Sequence, residues 1–159
     1  MAGTAWYLED RLIETQTISV AGRTLHVSDG DSFAIGTKKL RLNGIDAPEY
    51  RQTCTNPAGS LWACGKSARL ALEKMLSAPG LACTVTARDR YARGVATCST
   101  SHVADIAAAH VAGGMAVSDE YYGLRTYGAE QDAAETARQG IWAGEFIQPE
   151  QWRELHASS

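Results

Sequence analysis

Alternating hydrophobic and polar positions occur in two parts of this chain and predict two groups of β-strands. In the first group, residues 18–27 are predicted to be extended with a bend at Gly22, followed by strands at 32–35 and 39–45. In the second group, the pattern over residues 82–99 predicts a hairpin. The chain is therefore expected to contain five strands in two runs.

Three further segments are predicted to be helical. The first carries hydrophobic residues at the spacing of one helix face, the second is Ala-rich and ends at Gly113 and Gly114, and the third ends at Gly140. Helices are predicted at 66–76, 103–112 and 129–139, and loops are predicted at 50–65 and 117–127. Strand runs with helices between and after them indicate an α+β fold. Because a barrel hides the edges of short strands, five strands favour a small barrel.

One predicted strand ends in residues that suit phosphate chemistry. In the stretch 40–49, Arg41 points away from the apolar face, and Asp46, Pro48 and Glu49 end the strand. A guanidinium group binds phosphoryl oxygens through paired hydrogen bonds, and carboxylates hold a hard cation or accept a proton from water. This layout predicts a site for a metal and a phosphate ester.

Composition narrows the class of protein. The 159 residues, of which 45% are hydrophobic, indicate a single globular domain and exclude a disordered chain. No run of 18 apolar residues occurs, so no membrane span is expected. The net charge is −3, but residues 1–100 carry +3 and residues 101–159 carry −6. Arg41 lies in the basic part, where the local field favours a phosphate.

The cysteines favour disulfides over a zinc site, because they form no C-x-x-C pair and no histidine lies at zinc-finger spacing. If Arg88 faces Arg93 in the predicted hairpin, Cys83 faces Cys98 at a distance that a disulfide can bridge. The second pair is then Cys54–Cys64. The alternative is four reduced, buried cysteines. Disulfides would place the protein in the periplasm or outside the cell, although the first ten residues lack the features of a signal peptide.

Three motifs that are individually weak occur together in order. They are D-G-D-S at 29–32, R-L-N-G-I-D-A-P-E at 41–49 and D-R-Y-A-R-G at 89–94, followed by G-I-W at 140–142. Singly, they suit an ordinary turn, a strand end and a polar hairpin. Together, over about residues 27–142, the chain resembles the staphylococcal-nuclease-like (thermonuclease) family.

The resemblance implies a five-stranded OB-type β-barrel with three helices at residues 17–144. Residues 1–16 are expected to form an N-terminal extension and residues 145–159 a tail packed on the domain. The resemblance also implies calcium-dependent hydrolysis of phosphodiester bonds in DNA and RNA, with products ending in 3′-phosphate.

Site residues follow from the same resemblance. Calcium is expected to bind the carboxylates of Asp31 and Asp46 and the carbonyl of Ala47. Glu49 is expected to act on water, either as a general base or by orienting it. The remaining expected site residues are arginines that grip phosphate, Arg41 and Arg93, and residues that contact the nucleotide, Arg90 and Tyr91.

Some residues have no counterpart in the family pattern. Tyr121 and Tyr122 lie in a segment shorter than in the best-known member, and core or surface packing is favoured over stacking on a base. His110 shares a helix face with Ile106 and is expected to be a packing histidine with satisfied hydrogen bonds.

Two functions remain open at this point. One is a monomeric, secreted or periplasmic nuclease acting on DNA or RNA, without a membrane partner. The other is a non-catalytic nuclease-like domain that binds nucleic acid or protein. The sequence pI near 5.8 favours the second, since sequence-independent binding normally needs many basic residues. The complete set of catalytic residues favours the first.

Overall fold

The computed structural model describes residues 15–20 and 22–157, so residues 1–14 of the predicted N-terminal extension lie outside it. The strands are β1 (Gln16–Ser19), β2 (Leu25–Val27), β3 (Ser32–Ile35), β4 (Lys38–Leu42), β5 (Ile45–Asp46), β6 (Cys54–Thr55), β7 (Leu61–Trp62), β8 (Ala82–Arg88), β9 (Gly94–Ser99), β10 (Val117–Ser118), β11 (Glu120–Tyr121) and β12 (Leu124–Arg125). The helices are α1 (Cys64–Leu76), α2 (Ile106–Ala112), α3 (Gly128–Thr136) and α4 (Pro149–Leu155), with a 3₁₀ turn at Gly140–Ala143.

Six strands form the main sheet in the order β1-β8-β9-β4-β3-β2, and all neighbours are antiparallel except β4 and β9. The predicted first strand is thus two strands, because the chain bends at Gly22, whose φ is 71°. β1 and β2 follow each other in the chain but lie at opposite edges of the sheet. The sheet is therefore curled into a half-barrel, which confirms the α+β class.

The main hydrophobic core fills the inside of this curled sheet. Its largest fully buried side chains include Phe33, Ile35, Leu40 and Leu42 from the sheet and Leu72 from α1. α1 contributes a buried face at helical spacing, as its sequence predicts. No helix among the described residues has the length and apolar character needed to cross a membrane.

The β8–β9 hairpin differs from its predicted register by one residue at its tip. Cys83 lies opposite Cys98, as expected, but a bulge between Val85 and Ala87 places Arg88 opposite Gly94 and not opposite Arg93. The bulge inserts one unpaired residue on β8 and lies on the tip side of the cysteines. The Cys83–Cys98 disulfide forms because the register on its own side of the bulge is unchanged.

The second disulfide, Cys54–Cys64, joins the predicted long loop to the first residue of α1. It belongs to a smaller hydrophobic cluster with Val117 and Ile141, against which Trp142 and Phe146 pack. No free cysteine occurs in the described part of the chain. Two disulfides are typical of proteins in an oxidising compartment.

Helix boundaries shift where local caps decide them. α2 begins at Ile106 and not at residue 103, because the side chain of Asp105 accepts a hydrogen bond from the amide of Ala108 at 3.1 Å. α3 ends at Thr136, two residues before Arg138 adopts a positive φ of 54°. α4 lies in the segment predicted only as a tail.

Candidate active site

The D-G-D-S motif forms the turn before β3 and buries Asp31. One oxygen of Asp29 accepts the amides of Asp31 and Ser32, at 3.0 and 2.9 Å, which fixes the turn. Asp31 in turn accepts the amide of Ala47 at 2.9 Å and the hydroxyl of Ser32 at 3.0 Å. The first motif is therefore bonded directly to the strand end that carries Asp46 and Ala47.

Arg41 on β4 lies between the two expected metal carboxylates. Its Nη2 is 3.4 Å from Oδ1 of Asp46 and 3.7 Å from Oδ2 of Asp31, and its Nη1 donates to the carbonyl of Ile45 at 3.3 Å. Burial raises the pKa of Asp31, and the charge of Arg41 opposes that rise. The guanidinium thus compensates the negative charge of the buried carboxylates.

The tip of the β8–β9 hairpin places Arg93 beside the D-G-D-S turn. Asp89 accepts the amides of Tyr91 and Arg93 and also binds Nε of Arg93 at 2.7 Å. Nη1 of Arg93 donates to the hydroxyl of Ser32 at 2.9 Å, which joins the third motif to the first. The ring of Tyr91 lies 4.9 Å from the Arg90 guanidinium and 5.4 Å from that of Arg93.

The backbone of Glu49 is fixed by Gln52, which follows in the same loop. Its amide donates to the side-chain oxygen of Gln52 at 3.1 Å, and its carbonyl accepts the amide of Gln52 at 2.8 Å. Gly65 packs so closely on the Glu49 carbonyl that an added Cβ would overlap it. The side-chain amide of the buried Gln52 donates to the carbonyl of Ile147 at 2.6 Å, which ties this loop to the C-terminal segment.

A cleft of about 710 Å³ gathers residues from all three motifs. Six of the eight predicted site residues line it: Asp31, Arg41, Glu49, Arg90, Tyr91 and Arg93. Asp46 and Ala47 do not line it; Ala47 is buried behind Asp31, and Asp46 is covered by an arginine from α4.

That arginine, Arg153, was not expected from the sequence. It donates from Nη1 and Nη2 to the two oxygens of Asp46, at 2.9 Å each, and from Nη1 to Oε1 of Glu49 at 2.8 Å. The hydrogen bonds to Asp46 raise the pKa of Arg153 above its ordinary value. Its contact with Asp46 spans 107 positions of the chain, and no local pattern signals it.

Asp119 is a second lining residue that the sequence interpretation missed, because it lies in the segment predicted as a loop. The segment instead pairs with the active strand: β10 pairs with β5, and the amide of Asp119 donates to the carbonyl of Gly44 at 2.9 Å. Burial raises the pKa of Asp119, which the charge of Arg41 opposes and the charge of Asp46 reinforces.

The tyrosines that follow Asp119 are not in the core. Tyr121 is 77% exposed and Tyr122 is 96% exposed, and their rings pair edge to face at 5.3 Å on the β11–β12 hairpin. A core position for these two residues is therefore excluded. Tyr127 is the buried one, and its hydroxyl donates to Asp105 at 2.9 Å.

The donor chemistry of the site suits a hard cation such as calcium, since it offers carboxylates at Asp31, Asp46 and Asp119 and the carbonyl of Ala47. Within the described ranges, however, no group of three or more acidic, histidine or cysteine side chains is placed to hold a metal ion. Arg153 engages both oxygens of Asp46. The residues therefore fit calcium only when this guanidinium leaves Asp46.

Comparison with known proteins agrees with this geometry. A family model described as staphylococcal nuclease homologue matches residues 39–144, which include the second and third motifs. The chain belongs to this family. The OB-type barrel with helices of staphylococcal nuclease homologues corresponds to the curled sheet and its helices.

One relative is the succinoglycan biosynthesis protein ExoI of Rhizobium meliloti (strain 1021), which is 35% identical over 117 residues. The aligned part is 73% of this chain and 61% of that protein, so the chain spans less than two thirds of the length of its relative. The family membership is shared, whereas the name of the relative describes that protein alone.

The prediction that His110 on α2 has satisfied hydrogen bonds is wrong. It is buried, as a packing histidine should be, but neither ring nitrogen has a hydrogen-bond partner among the residues that the structure describes. Burial disfavours the charged form and lowers the pKa of His110 to about 4, which the nearby Gly30 backbone only partly offsets.

Because His110 is buried in its neutral form, we expect part of the folding stability to be lost in acid. Between pH 6.5 and about 4 the unfolded state binds a proton at His110 that the folded state does not, so the free energy of unfolding falls as the pH is lowered. The fall is at most about 3 kcal/mol. Urea unfolding measured between pH 7 and pH 4.5 should show this fall in the free energy of unfolding in the wild type and not in His110→Leu. The exposed His26→Leu is the control, and parallel pH profiles for His110→Leu and the wild type would contradict the assignment.

Proposed function

We propose that this chain is a secreted or periplasmic, calcium-dependent nuclease that hydrolyses phosphodiester bonds of DNA or RNA and leaves 3′-phosphate ends. The observation that carries the proposal is the convergence of Arg41, Arg93 and Glu49, from three separate elements, on one cleft. Two guanidinium groups and one carboxylate at the same cavity suit a phosphodiester better than a neutral substrate.

The arginines bind and activate the scissile phosphate. Arg93 is held by Asp89 and Ser32, so its remaining donor positions face a substrate at little cost in side-chain entropy. Arg41, between Asp31 and Asp46, donates to a second phosphoryl oxygen. Charge on these oxygens grows in the transition state, so each donor lowers the barrier more than it tightens substrate binding.

Glu49 acts on the attacking water. It accepts a proton from the water, or orients it, while the water oxygen forms a bond to phosphorus and the bond from phosphorus to the 5′-oxygen breaks. The 5′-oxygen leaves as a hydroxyl after protonation by solvent. Tyr91 and Arg90 contact the adjoining nucleotide. Asp31, Asp46 and the carbonyl of Ala47 would hold calcium, which would supply positive charge to offset the charge of the phosphodiester.

The charge of the cleft supports a need for an added cation. Its lining contains five Lys and Arg residues and five Asp and Glu residues, so the cleft has no excess of positive charge for a polyanion. This balance also suits the alternative function, a non-catalytic nuclease-like domain. The name of the relative ExoI, a biosynthesis protein, leaves room for the same alternative.

The test is hydrolysis of single-stranded DNA, double-stranded DNA and RNA in calcium and in a calcium chelator. We expect cleavage in calcium, its loss in chelator and its return when excess calcium is added. Products should become substrates for a 3′-phosphatase. Cleavage that is equal in chelator would contradict the calcium requirement, and binding without cleavage, measured by fluorescence anisotropy, would favour the non-catalytic domain.

A further inference from the structure

Arg153 occupies Asp46, one of the carboxylates to which the proposed function assigns calcium. It bridges Asp46 and Glu49 through three hydrogen bonds of 2.8 to 2.9 Å, and Arg41 contacts Asp46 on its other side at 3.4 Å. Only 12% of the Asp46 side chain is exposed. A metal ion that reached this carboxylate would therefore meet a guanidinium already bound to both oxygens.

The C-terminal segment is positioned to place Arg153 at this point. The carbonyl of Glu145 accepts the amide of Thr55 at 2.8 Å, and the carbonyl of Ile147 accepts the Gln52 side chain at 2.6 Å. α4 then begins with the buried Pro149, whose fixed φ suits the first helical position. Arg153 follows one turn later and meets Asp46.

The release of Arg153 needs little rearrangement. Its side chain is 42% exposed, and its other partner, Glu49, is 27% exposed. Water can therefore solvate the guanidinium once it leaves. A divalent cation and a guanidinium at the same carboxylate repel each other, so occupation by one disfavours the other.

We propose that Arg153 is an internal cation that competes with calcium for Asp46, so that metal binding breaks the contact through which Arg153 holds α4 at the cleft. The inference rests on the calcium site of the proposed function. It assigns to α4 an autoinhibitory contact: the carboxylates are satisfied by the protein itself until calcium reaches them.

Calcium affinity of the intact chain tests this directly. Calorimetric titration with calcium chloride, in the absence of nucleic acid, is compared for the wild type, Arg153→Gln and Arg69→Gln. The last variant removes the same charge from α1, where Arg69 pairs with Glu73 outside the cleft lining. We expect Arg153→Gln to bind calcium at least tenfold more tightly than the wild type and Arg69→Gln to match the wild type.

A second readout follows the displacement in the wild type. Trypsin cleaves after arginine, so the rate of cleavage after Arg153, divided by that after Arg138 in the same digest, reports the release of α4. We expect the ratio to rise several-fold in calcium relative to chelator. An unchanged ratio would overturn the inference.

The outcomes separate this inference from the proposed function. Equal or weaker calcium binding by Arg153→Gln, with cleavage of nucleic acid retained, would overturn the competition alone. Weaker substrate binding by Arg153→Gln at unchanged calcium affinity would likewise overturn it and make Arg153 a phosphate contact. Tighter calcium binding without any cleavage would support the competition and contradict the nuclease. No calcium binding by either protein would contradict both.

Discussion

Replacing Glu49 by glutamine is expected to lower the rate of phosphodiester hydrolysis by about 10²- to 10⁴-fold. Glutamine keeps the size of the side chain and can still accept a hydrogen bond, but it cannot take a proton from water. The backbone of residue 49 is fixed by Gln52, so the substitution leaves the loop in place. Initial rates in saturating calcium, with kcat and KM resolved, measure the effect, which should fall on kcat.

Two controls make the Glu49 result specific. Glu154→Gln makes the same change on an exposed residue that has no ion pair among the described residues, and it should cleave at the wild-type rate. Glu49→Gln should also be measured with Arg153→Gln, because the first substitution removes a charge partner of Arg153. A loss of less than tenfold in both backgrounds would show that Glu49 does not take part in the chemical step.

Removing the Cys83–Cys98 disulfide by substituting both cysteines with alanine is expected to lower the free energy of unfolding by about 2–5 kcal/mol. The bond links positions 15 residues apart, for which loop-closure entropy alone accounts for about 3 kcal/mol. Both cysteines are almost fully buried in the core, so alanine also leaves unfilled space. The affected strands, β8 and β9, lie in the middle of the main sheet.

Urea unfolding followed by circular dichroism measures this loss. The comparison variant replaces Cys54 and Cys64, which close a sequence separation of 10 residues in the smaller cluster. Its main effect should be on activity, because that disulfide anchors the loop that carries Glu49. A change of less than about 1 kcal/mol for the Cys83 and Cys98 variant would contradict a stabilising role, given the usual range for native disulfides.

The sequence was most informative where chemistry and local pattern coincide. The alternation around Arg41, the Pro48 that stops pairing and the turn at Asp89 are local signals, and they bring Arg41 and Arg93 to one cleft. The cysteine pairing was predicted correctly although the register at the hairpin tip was not. The bulge changes the pairing only on the tip side of the inserted residue, and no residue type in this segment predicts a bulge.

The residues that the sequence did not reveal depend on tertiary contacts. Arg153 contacts Asp46 across 107 positions of the sequence. Asp119 lies at the cleft because β10 pairs with β5. His110 is buried and forms no hydrogen bond with the described residues, although its helix face suggested a packing histidine with satisfied hydrogen bonds. In each case the side chain's environment is created by elements far away in sequence.

The position of Arg153 has a consequence for how family members diverge. The family match ends at residue 144, whereas Arg153 and Ile147, the partner of Gln52, lie after it. Under the proposed competition between Arg153 and calcium, changes in this segment would alter the metal response of the chain without touching a single motif residue. On that proposal, homologues with identical motifs need not share a calcium threshold, and the segment after residue 144 would be the place where selection adjusts it.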